Sequence, residues 1–356
     1  MGGSTIHVLL TGATGYIGGS VLTRLLSHKL SDTLRITALV RDATKAMKFR
    51  AFGVNAVLGS NSDLVLLQQL AANADVVFAC ADADDLSAAR AILSGLKERF
   101  DKTQKPPALI HTSGTGVLID NADGQYAGKD VYSDFDLKKL ESLPDSQPHR
   151  DVDLRLVDAD NQGYVKTYIV LPGTIYGLAT GPLVESGLQN AHSQQIPAMV
   201  KIALQRGEVG YVGLGKNVWP HVHIKEGEFL YIQTSGIDSI PCGLDTYPVT
   251  DLFILIFDQV LARKELGHGR EGFYFGENGE YIMWNIANAV GQTLYDAGKL
   301  KHSMPSSYTE EEMRKFFPGG TMFGTNSRCR GDRSREIGWE PKKGYYDLVA
   351  SIKDEI

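Results

Sequence analysis

Three glycines at fixed spacing, Gly12, Gly15 and Gly18, join an apolar segment to a segment whose apolar residues have helical spacing. In a turn from a strand into a helix, the first glycine permits the tight turn and the second lets a pyrophosphate approach the backbone. The third lets the helix pack closely on the strand, and the unpaired N–H groups at the helix start attract the anion. The spacing predicts a dinucleotide-binding turn, whose cofactor-binding residues are Gly12, Thr14, Gly15, Tyr16, Ile17 and Gly18.

The residue after the next apolar run bears on which dinucleotide binds. Arg41 follows the run at residues 36–40, where many NAD-binding proteins place a carboxylate for the ribose hydroxyls. A guanidinium there pairs with a 2′-phosphate through charge-assisted hydrogen bonds, and Lys45 or Lys48 adds positive potential. The sequence therefore favours NADP over NAD. Asp42 keeps NAD open as the alternative, because a shift of one residue returns an acid to the discriminating position.

The elements that position these residues follow from the alternation of apolar runs. Residues 6–10 and 36–40 predict two strands joined by a helix, a unit long enough for two parallel strands and their crossover. Helical patterns, such as the one at residues 84–100, alternate with further strand-like runs at residues 54–58, 76–79, 108–111 and 168–171. We therefore predict an α/β protein with a Rossmann-type doubly wound parallel sheet.

Composition argues against several classes of protein. The 356 residues are 43% hydrophobic and 22% charged, as in globular proteins, and the formal net charge of −6 disfavours nucleic-acid binding. The longest apolar run, at residues 252–257, is too short to span a bilayer, so no membrane association is expected. The first predicted strand leaves no room for a cleavable signal, which favours a cytoplasmic location.

The cysteines indicate neither a disulfide nor a metal site. Cys80, Cys242 and Cys329 are odd in number and widely separated along the chain. This pattern is typical of reduced, buried thiols rather than of disulfides or zinc ligands. We predict no metal site.

Several segments resemble one known family and occur in the order found there. The Thr-Gly-x-x-Gly-x-x-Gly turn resembles the extended and atypical branches of the short-chain dehydrogenase/reductase superfamily, including dihydroflavonol-reductase-like, NAD-dependent epimerase-like and NmrA-like members. Leu-Pro-Gly-Thr-Ile-Tyr-Gly at residues 171–177 resembles the strand end beside the nicotinamide, and Val-His-Ile-Lys-Glu at residues 222–226 resembles the Val-His-Val-Asp-Asp segment. Residues 338–342 resemble the closing Gly-Trp-x-Pro motif.

The resemblance implies a division into two lobes. Residues 1–176 would form the dinucleotide-binding Rossmann domain, to which segments near residues 216–264 return. Residues 177–215 and 265–356 would form a smaller, discontinuous C-terminal lobe that binds the substrate. The stretch at residues 116–150 is rich in Asp, Gly and Pro, which predicts a long loop over the substrate cleft.

The resemblance also implies further site residues. For the cofactor these are Asp63 beneath the adenine, the backbone at Cys80, Thr112 at the end of the fifth strand, and Pro172 beside the nicotinamide. An Asx turn is the structural alternative for Asp63. Ser113 matches the Ser or Thr that hydrogen-bonds a substrate carbonyl, with a capping hydroxyl as the alternative.

The superfamily's Tyr-x-x-x-Lys pair, in which lysine lowers the tyrosine pKa, is missing from the segment before Pro172. Counting back from Pro172 puts the tyrosine position at Asp145 and the lysine position at His149. On a helix starting at Pro148, Asp153 lies one turn beyond His149 on the same face. His149 is therefore the candidate proton donor, or holds the nicotinamide ribose; an exposed histidine in the first helical turn is the alternative.

Three functions remain open. The first is an NADP-dependent oxidoreductase that transfers hydride from NADPH to a small organic carbonyl or related unsaturated substrate, with Ser113 and His149 as catalytic residues. Tyr126, Tyr132 and Tyr164 are other candidate acids, each interpreted as a surface-loop tyrosine. The second function is an NmrA-like, non-catalytic dinucleotide sensor. The third is a nucleotide-sugar epimerase or dehydratase, against which the missing tyrosine counts. The expected partner is a small molecule, and a homodimer is allowed.

Overall fold

The computed structural model describes residues 5–224 and 248–356. Within them the strands are β1 (Ile6–Thr11), β2 (Leu34–Val40), β3 (Asn55–Leu58), β4 (Val76–Ala79), β5 (Ala108–Thr112), β6 (Tyr132–Ser133), β7 (Lys166–Pro172), β8 (Thr174–Tyr176), β9 (Gly210–Tyr211), β10 (Val218–His223), β11 (Phe273–Gly276), β12 (Glu280–Ile282), β13 (Ser306–Ser307) and β14 (Cys329–Arg330). The helices are α1 (Tyr16–Leu26), α2 (Ala43–Arg50), α3 (Leu64–Ala71), α4 (Leu86–Thr103), α5 (Leu137–Glu141), α6 (Arg150–Asn161), α7 (Pro182–Glu185), α8 (Gln195–Arg206), α9 (Val249–Leu261), α10 (Met283–Asp296), α11 (Glu310–Phe316), α12 (Asp332–Glu336) and α13 (Tyr345–Ser351). Lys225, Glu226 and Cys242 lie outside the described residues.

Seven parallel strands form the central sheet, in the order β11-β7-β5-β4-β1-β2-β3. On β1, Leu9 lies opposite Thr37 of β2 on one side and Val77 of β4 on the other. The chain runs outward from β1 to β3 and then crosses to β4, so its direction of travel across the sheet reverses between β1 and β4. In such sheets a ligand crevice forms at the carboxyl ends of the strands that flank the reversal. The predicted α/β, doubly wound Rossmann-type architecture is confirmed.

Helices cover both faces of this sheet, which is why its central strands are apolar without alternation. On one face, Leu10 packs in a cluster with Phe78 and with Phe253 of α9. On the other face, Leu9 packs with Val77 in a second cluster to which α3, α4 and α6 contribute. The two clusters hold the carboxyl ends of β1, β4 and β5 side by side.

A smaller group of elements packs around a third apolar cluster. A three-stranded sheet in the order β12-β10-β8 lies against α8, α10 and α13. Tyr176, Trp219 and Ile286 are among the buried residues that these elements share. Because β8 follows β7 after a single residue, Gly173, this smaller lobe starts directly at the end of the large sheet.

The C-terminal part of the chain is divided between the two groups. β11 lies within the range 265–356 predicted for the smaller lobe, yet it pairs with β7 as the edge strand of the large sheet. Trp339 is also buried in the large domain, where its Nε1 donates to Pro248 O at 3.0 Å. The boundary predicted at residue 265 is therefore wrong for these segments, since a four-residue aromatic strand gives little periodicity to detect.

The apolar run at residues 252–257 lies inside α9, which packs on α1. Among the described residues, no helix is both long and apolar enough to cross a membrane. The predicted loop at 116–150 has more structure than expected, because it contains α5 and also β6, which pairs with β14.

Candidate functional site

The glycine turn has two positions that packing requires and one that it leaves open. Gly12 has φ of +75°, and a Cβ there would lie 2.5 Å from Cys80 O. A Cβ at Gly18 would lie 2.3 Å from Gly12 O. At Gly15, by contrast, the described residues bring only Gly12 O within 4 Å of a Cβ, at 3.2 Å. Internal packing therefore constrains Gly15 much less than Gly12 or Gly18, since a shift of a few tenths of an ångström would relieve this contact, which fits the close approach of a pyrophosphate.

Helix α1 begins directly after this turn and offers its N-terminus to an anion. Gly15 is its N-cap, and no described side chain caps it or places an acid in its first turn. Gly15 N donates to Gly12 O at 2.8 Å, and Thr14 O accepts from Asn190 N at 3.0 Å, so the turn is held from both sides. The Tyr16 hydroxyl donates to Gly177 O, and burial raises the pKa of this phenol well above its ordinary value. The Tyr16 side chain is thus a neutral tether between the start of α1 and Gly177.

The ends of β2 and β3 carry the residues predicted for the adenosine half of the cofactor. Arg41 is exposed at the end of β2. Asp42 caps α2, where its Oδ1 accepts from Lys45 N at 2.8 Å. Asp63 is the last residue of the loop before α3, and its Oδ2 accepts a hydrogen bond from Ser60 N at 2.7 Å. Asp63 therefore closes a turn with Ser60, three residues before it, and not an Asx turn, in which the carboxylate would accept from the backbone two residues further on; its exposed side chain borders a surface groove.

Cys80, Thr112 and Pro172 lie at neighbouring strand ends. Cys80 follows β4, its N–H donates to Thr11 Oγ1 at 3.2 Å, and burial raises the pKa of its thiol to about 12. Thr112 ends β5 with its hydroxyl beside that thiol, and Pro172 ends β7 opposite Gly276. The Cys80 thiol is consequently a packing group behind the glycine turn, as the sequence suggested for its side chain.

His149 is held in an unusual backbone conformation beside the end of β5. It is the N-cap of α6 with φ of +66°, a left-handed conformation that is rare for residues other than glycine. Asp84 Oδ1 holds both its backbone N at 3.0 Å and its ring Nδ1 at 2.7 Å. The opposite ring nitrogen, Nε2, lies 3.2 Å from the Cβ position of Gly114 and 3.0 Å from that of Gly116. The two glycines therefore make room for the imidazole.

Ser113 lies next to Gly114 and forms a buried pair with Asp153. The Ser113 hydroxyl donates to Asp153 Oδ2 at 3.0 Å, and Ser113 N donates to Val170 O at 2.9 Å. Burial raises the pKa of Asp153 to about 7, and the hydrogen bond from Ser113 opposes that rise. Nearby His111 is also buried, which lowers its pKa to about 4, with His149 as the next contributor. The end of β5 thus gathers several titratable groups with little access to water.

The predicted catalytic residues Ser113 and His149 therefore both lie beside Gly114: Ser113 precedes it in the chain, and His149 Nε2 lies 3.2 Å from its Cβ position. The predicted tyrosine position, Asp145, does not join them, because it lies in an exposed turn before α6. That turn arises because α6 begins at Arg150 rather than at Pro148. Asp84 was not predicted as a site residue, since its contact with His149 spans 65 positions and no local pattern indicates it.

The other candidate acids lie in different surroundings. Tyr126 is 51% exposed, and the Tyr132 ring packs under Lys139 Nζ at 4.7 Å. Tyr164 is buried in the apolar cluster of α6 and β7, so its interpretation as a surface-loop tyrosine is wrong. Among the described residues, no three carboxylate, imidazole or thiol side chains are grouped as a metal site would require.

The NmrA-like family matches residues 4–98, which include β1, the glycine turn and most of α4. Over 351 residues the chain is 31% identical to the oxidase ucsJ of Acremonium sp., covering 95% of this chain and 93% of that protein. The chain belongs to the atypical short-chain dehydrogenase/reductase family. This family membership was implied by the sequence motifs and is confirmed.

Solved structures share the fold over nearly the full chain. The dTDP-glucose 4,6-dehydratase of Bacillus anthracis, solved with NAD, has a TM-score of 0.62 and 17% identity, and the match covers 99% of this chain and 96% of that one. The UDP-glucuronic acid 4-epimerase of Bacillus cereus has a TM-score of 0.59 and 14% identity, with 98% of each chain covered. At such identities the likeness shows the fold, and the chemistry has to be argued from the site.

Proposed function

We propose that this chain is an NADPH-dependent oxidoreductase that reduces a small organic carbonyl or a related unsaturated compound, with His149 as proton donor. The observation that carries the proposal is the placement of the His149 ring. Asp84 holds its Nδ1 at 2.7 Å while its Nε2 faces the backbone of Gly114, next to Ser113. An oriented imidazole at the end of β5 can do the work for which the family otherwise uses tyrosine.

The glycine turn supports the cofactor part of the proposal. Gly15 leaves room for a pyrophosphate, the N-terminus of α1 offers unpaired N–H groups, and Arg41 lies exposed at the end of β2. Asp42 is already engaged in capping α2, which favours Arg41 and a 2′-phosphate over a carboxylate and ribose hydroxyls. When bound, NADPH supplies the hydride. The relative named as an oxidase and the dehydratase solved with NAD support redox chemistry with a nicotinamide dinucleotide.

The residues of the chain supply orientation and the proton. With Nδ1–H donated to the Asp84 carboxylate, the proton that His149 transfers in this proposal is carried by Nε2, the ring nitrogen beside Gly114 and Gly116. Ser113 precedes Gly114 in the chain, and in this proposal its hydroxyl contacts the reacting oxygen of the substrate. Met322 lies next to the same glycine, with its Sδ 3.5 Å from the Cβ position of Gly116. A thioether near the imidazole supplies an apolar surface that suits a small organic substrate.

Charge pairing in the smaller lobe argues against a nucleotide-sugar substrate. Arg206 is paired with Glu312, at 2.6 Å between Nε and Oε1. Arg328 is paired with Glu280, at 2.7 Å between Nη2 and Oε2. A diphosphate would have to displace a carboxylate from either arginine, at a cost in free energy.

A non-catalytic dinucleotide sensor is the second candidate. It is favoured by the NmrA-like match over residues 4–98, a range that contains the phosphate turn and none of Ser113, His149 and Asp153. Both candidates use the same cofactor site, so binding of NADPH alone does not separate them.

Turnover separates the two candidates. The protein is incubated with NADPH and a panel of aldehydes, ketones, imines and enones, and NADPH oxidation is followed by absorbance. We expect turnover, with kcat reduced about 10²-fold in His149→Gln, the usual scale for loss of an acid catalyst. Asp84→Asn should lower kcat less, because the imidazole remains but loses its orientation.

His192→Gln is the matched control for that experiment. His192 Nδ1 pairs with Glu355 Oε2 at 2.7 Å, the same separation as in the His149 pair, but its side chain is 56% exposed. Its removal should leave kcat unchanged. Binding of NADPH without oxidation by any compound of the panel would favour the sensor instead.

A further inference from the structure

The Ser113–Asp153 pair contains a buried titratable group, the Asp153 carboxyl, that has no role in the proposed proton transfer. Asp153 has 0% exposure and Ser113 has 6%. Asp153 Oδ2 accepts from Ser113 Oγ at 3.0 Å, and the other oxygen, Oδ1, is buried with no hydrogen-bond partner in the described part of the chain. The Asp153 carboxyl group is therefore connected to the candidate site through one hydroxyl, that of Ser113.

A hydroxyl has one proton to donate, so its partner decides what it offers on the other side. Ionised Asp153 can only accept, which directs the Ser113 proton inward and leaves Ser113 Oγ as an acceptor toward the substrate. Protonated Asp153 can donate to Ser113 Oγ, which frees the Ser113 proton for a substrate acceptor. The protonation state of Asp153 therefore reverses the hydrogen-bond polarity that Ser113 presents.

We propose that Asp153 is a positioning residue that selects, through Ser113, which redox form of the substrate binds. Ionised Asp153 makes the site bind the hydroxyl or amine form, whose O–H or N–H donates to Ser113 Oγ. Protonated Asp153 makes the site bind the carbonyl or imine form, which accepts from Ser113. This inference rests on the proposed function, because it assumes that Ser113 contacts the reacting oxygen or nitrogen.

The surroundings of Asp153 allow both forms near neutral pH. Burial raises the pKa of Asp153 to about 7, and the Ser113 hydrogen bond and Arg150 on α6 oppose the rise. Asp151 on α6 and Asp84 after β4 add smaller upward contributions through their negative charge. Both forms are therefore populated within one pH unit or so of neutrality, and the preferred substrate form should change with pH.

The test measures binding without turnover. Benzaldehyde is titrated into protein saturated with NADP⁺, and benzyl alcohol into protein saturated with NADPH, by calorimetry at about pH 6 and about pH 8. All chains carry His149→Gln, so that the proposed proton donor is absent and no turnover accompanies binding. From the lower to the higher pH, we expect the affinity for benzaldehyde to fall about tenfold and the affinity for benzyl alcohol to rise about tenfold. A tenfold change in affinity is about the value of one hydrogen bond.

Variants on the same helix identify the group responsible. Asp153→Asn retains the shape of the side chain and should abolish the pH dependence of both affinities. Asp160→Asn, at a second buried carboxylate of α6 that accepts from Thr167 N, should leave it intact. Ser113→Thr should also preserve the pH dependence, while Ser113→Ala should remove it.

Infrared titration of the ligand-free protein gives a readout independent of any substrate. The neutral carboxyl band that disappears in Asp153→Asn should titrate near pH 7, and in Ser113→Ala it should persist to higher pH because the hydrogen bond to the charged form is lost. Affinities that do not vary with pH, a pH dependence that survives Asp153→Asn, failure of both probes to bind, or a band absent at neutral pH would each overturn the inference. Failure of the proposed function appears separately, as absence of NADPH binding or of turnover.

Discussion

Side chains around the glycine turn differ in whether they hold the fold or face a ligand. Asp42, Tyr16 and Cys80 are committed to internal contacts: a helix cap, a tether to Gly177 and packing behind the turn. Arg41 is exposed at the end of β2. His149 combines both tasks, since its strained backbone starts α6 while its ring faces Gly114.

Arg41 provides a prediction about cofactor choice. Arg41→Ala should weaken NADPH binding by about 1.5–3 kcal/mol, the value of a charge-assisted hydrogen bond, and leave NADH binding nearly unchanged. Calorimetry with both cofactors measures the difference. Arg50→Ala, an exposed arginine at the far end of α2, is the control and should change neither affinity. Equal affinities of the wild type for NADH and NADPH would contradict the prediction.

The residues of the candidate site were predictable to different degrees. Gly12, Gly15 and Gly18 follow from spacing alone, because a strand, a tight turn and a helix are local structures. Asp153 was visible only as a residue one turn beyond His149, and its bond to Ser113 required the packing of α6 on the sheet. Asp84 gave no signal at all, since its pairing with His149 depends on the relative positions of β4 and α6.

At the scale of elements, the strand-turn-helix unit separates two uses of glycine. Gly18 is required by the close packing of α1 on the turn, while Gly15 lies at the helix start with φ of −83°, which any residue can adopt. The strands of the sheet were predictable for a similar reason, because apolar runs bounded by turns are local signals. β11 was not, since four residues at a sheet edge depend on pairing with β7.

Substituting the two glycines in parallel should give opposite results. Gly15→Ala should keep the melting temperature near that of the wild type. It should lower the affinities for NADPH and NADH at least tenfold, because the methyl group occupies the space through which the pyrophosphate approaches. Gly18→Ala should lower the free energy of unfolding by about 1–3 kcal/mol, because its Cβ would lie 2.3 Å from Gly12 O. Thermal unfolding and calorimetry measure both effects. Wild-type affinity in a folded Gly15→Ala chain would mean that the phosphates bind elsewhere.

At the scale of the whole molecule, buried titratable groups oppose each other in the dependence of stability on pH. Burial lowers the pKa of His111 and of His221 to about 4, so each stays neutral in the folded chain while the unfolded chain takes up a proton below about pH 6.5. Acidification through that range therefore destabilises the fold. Asp153 acts in the opposite direction, because its raised pKa makes the folded chain bind the proton first, so its contribution is lost as pH rises toward 7. The two effects oppose each other between about pH 4 and pH 7, so a single substitution is needed to measure either one.

A substitution at His221 should isolate the contribution of one buried histidine to the pH dependence of stability. Its ring has 0% exposure, stacks on Tyr281 at 6.4 Å between centroids, and has no hydrogen-bond partner for either nitrogen within the described residues. His221→Phe retains the stacking and removes the titration. On acidification from pH 7 to pH 5, the free energy of unfolding of this variant should therefore rise by about 2 kcal/mol relative to that of the wild type. Urea unfolding at the two pH values measures this. His302→Gln, at a side chain that is 54% exposed, should follow the wild type. A His221→Phe chain with the wild-type pH dependence would show that His221 is protonated equally in both states, and its buried position would then need another source of stabilisation.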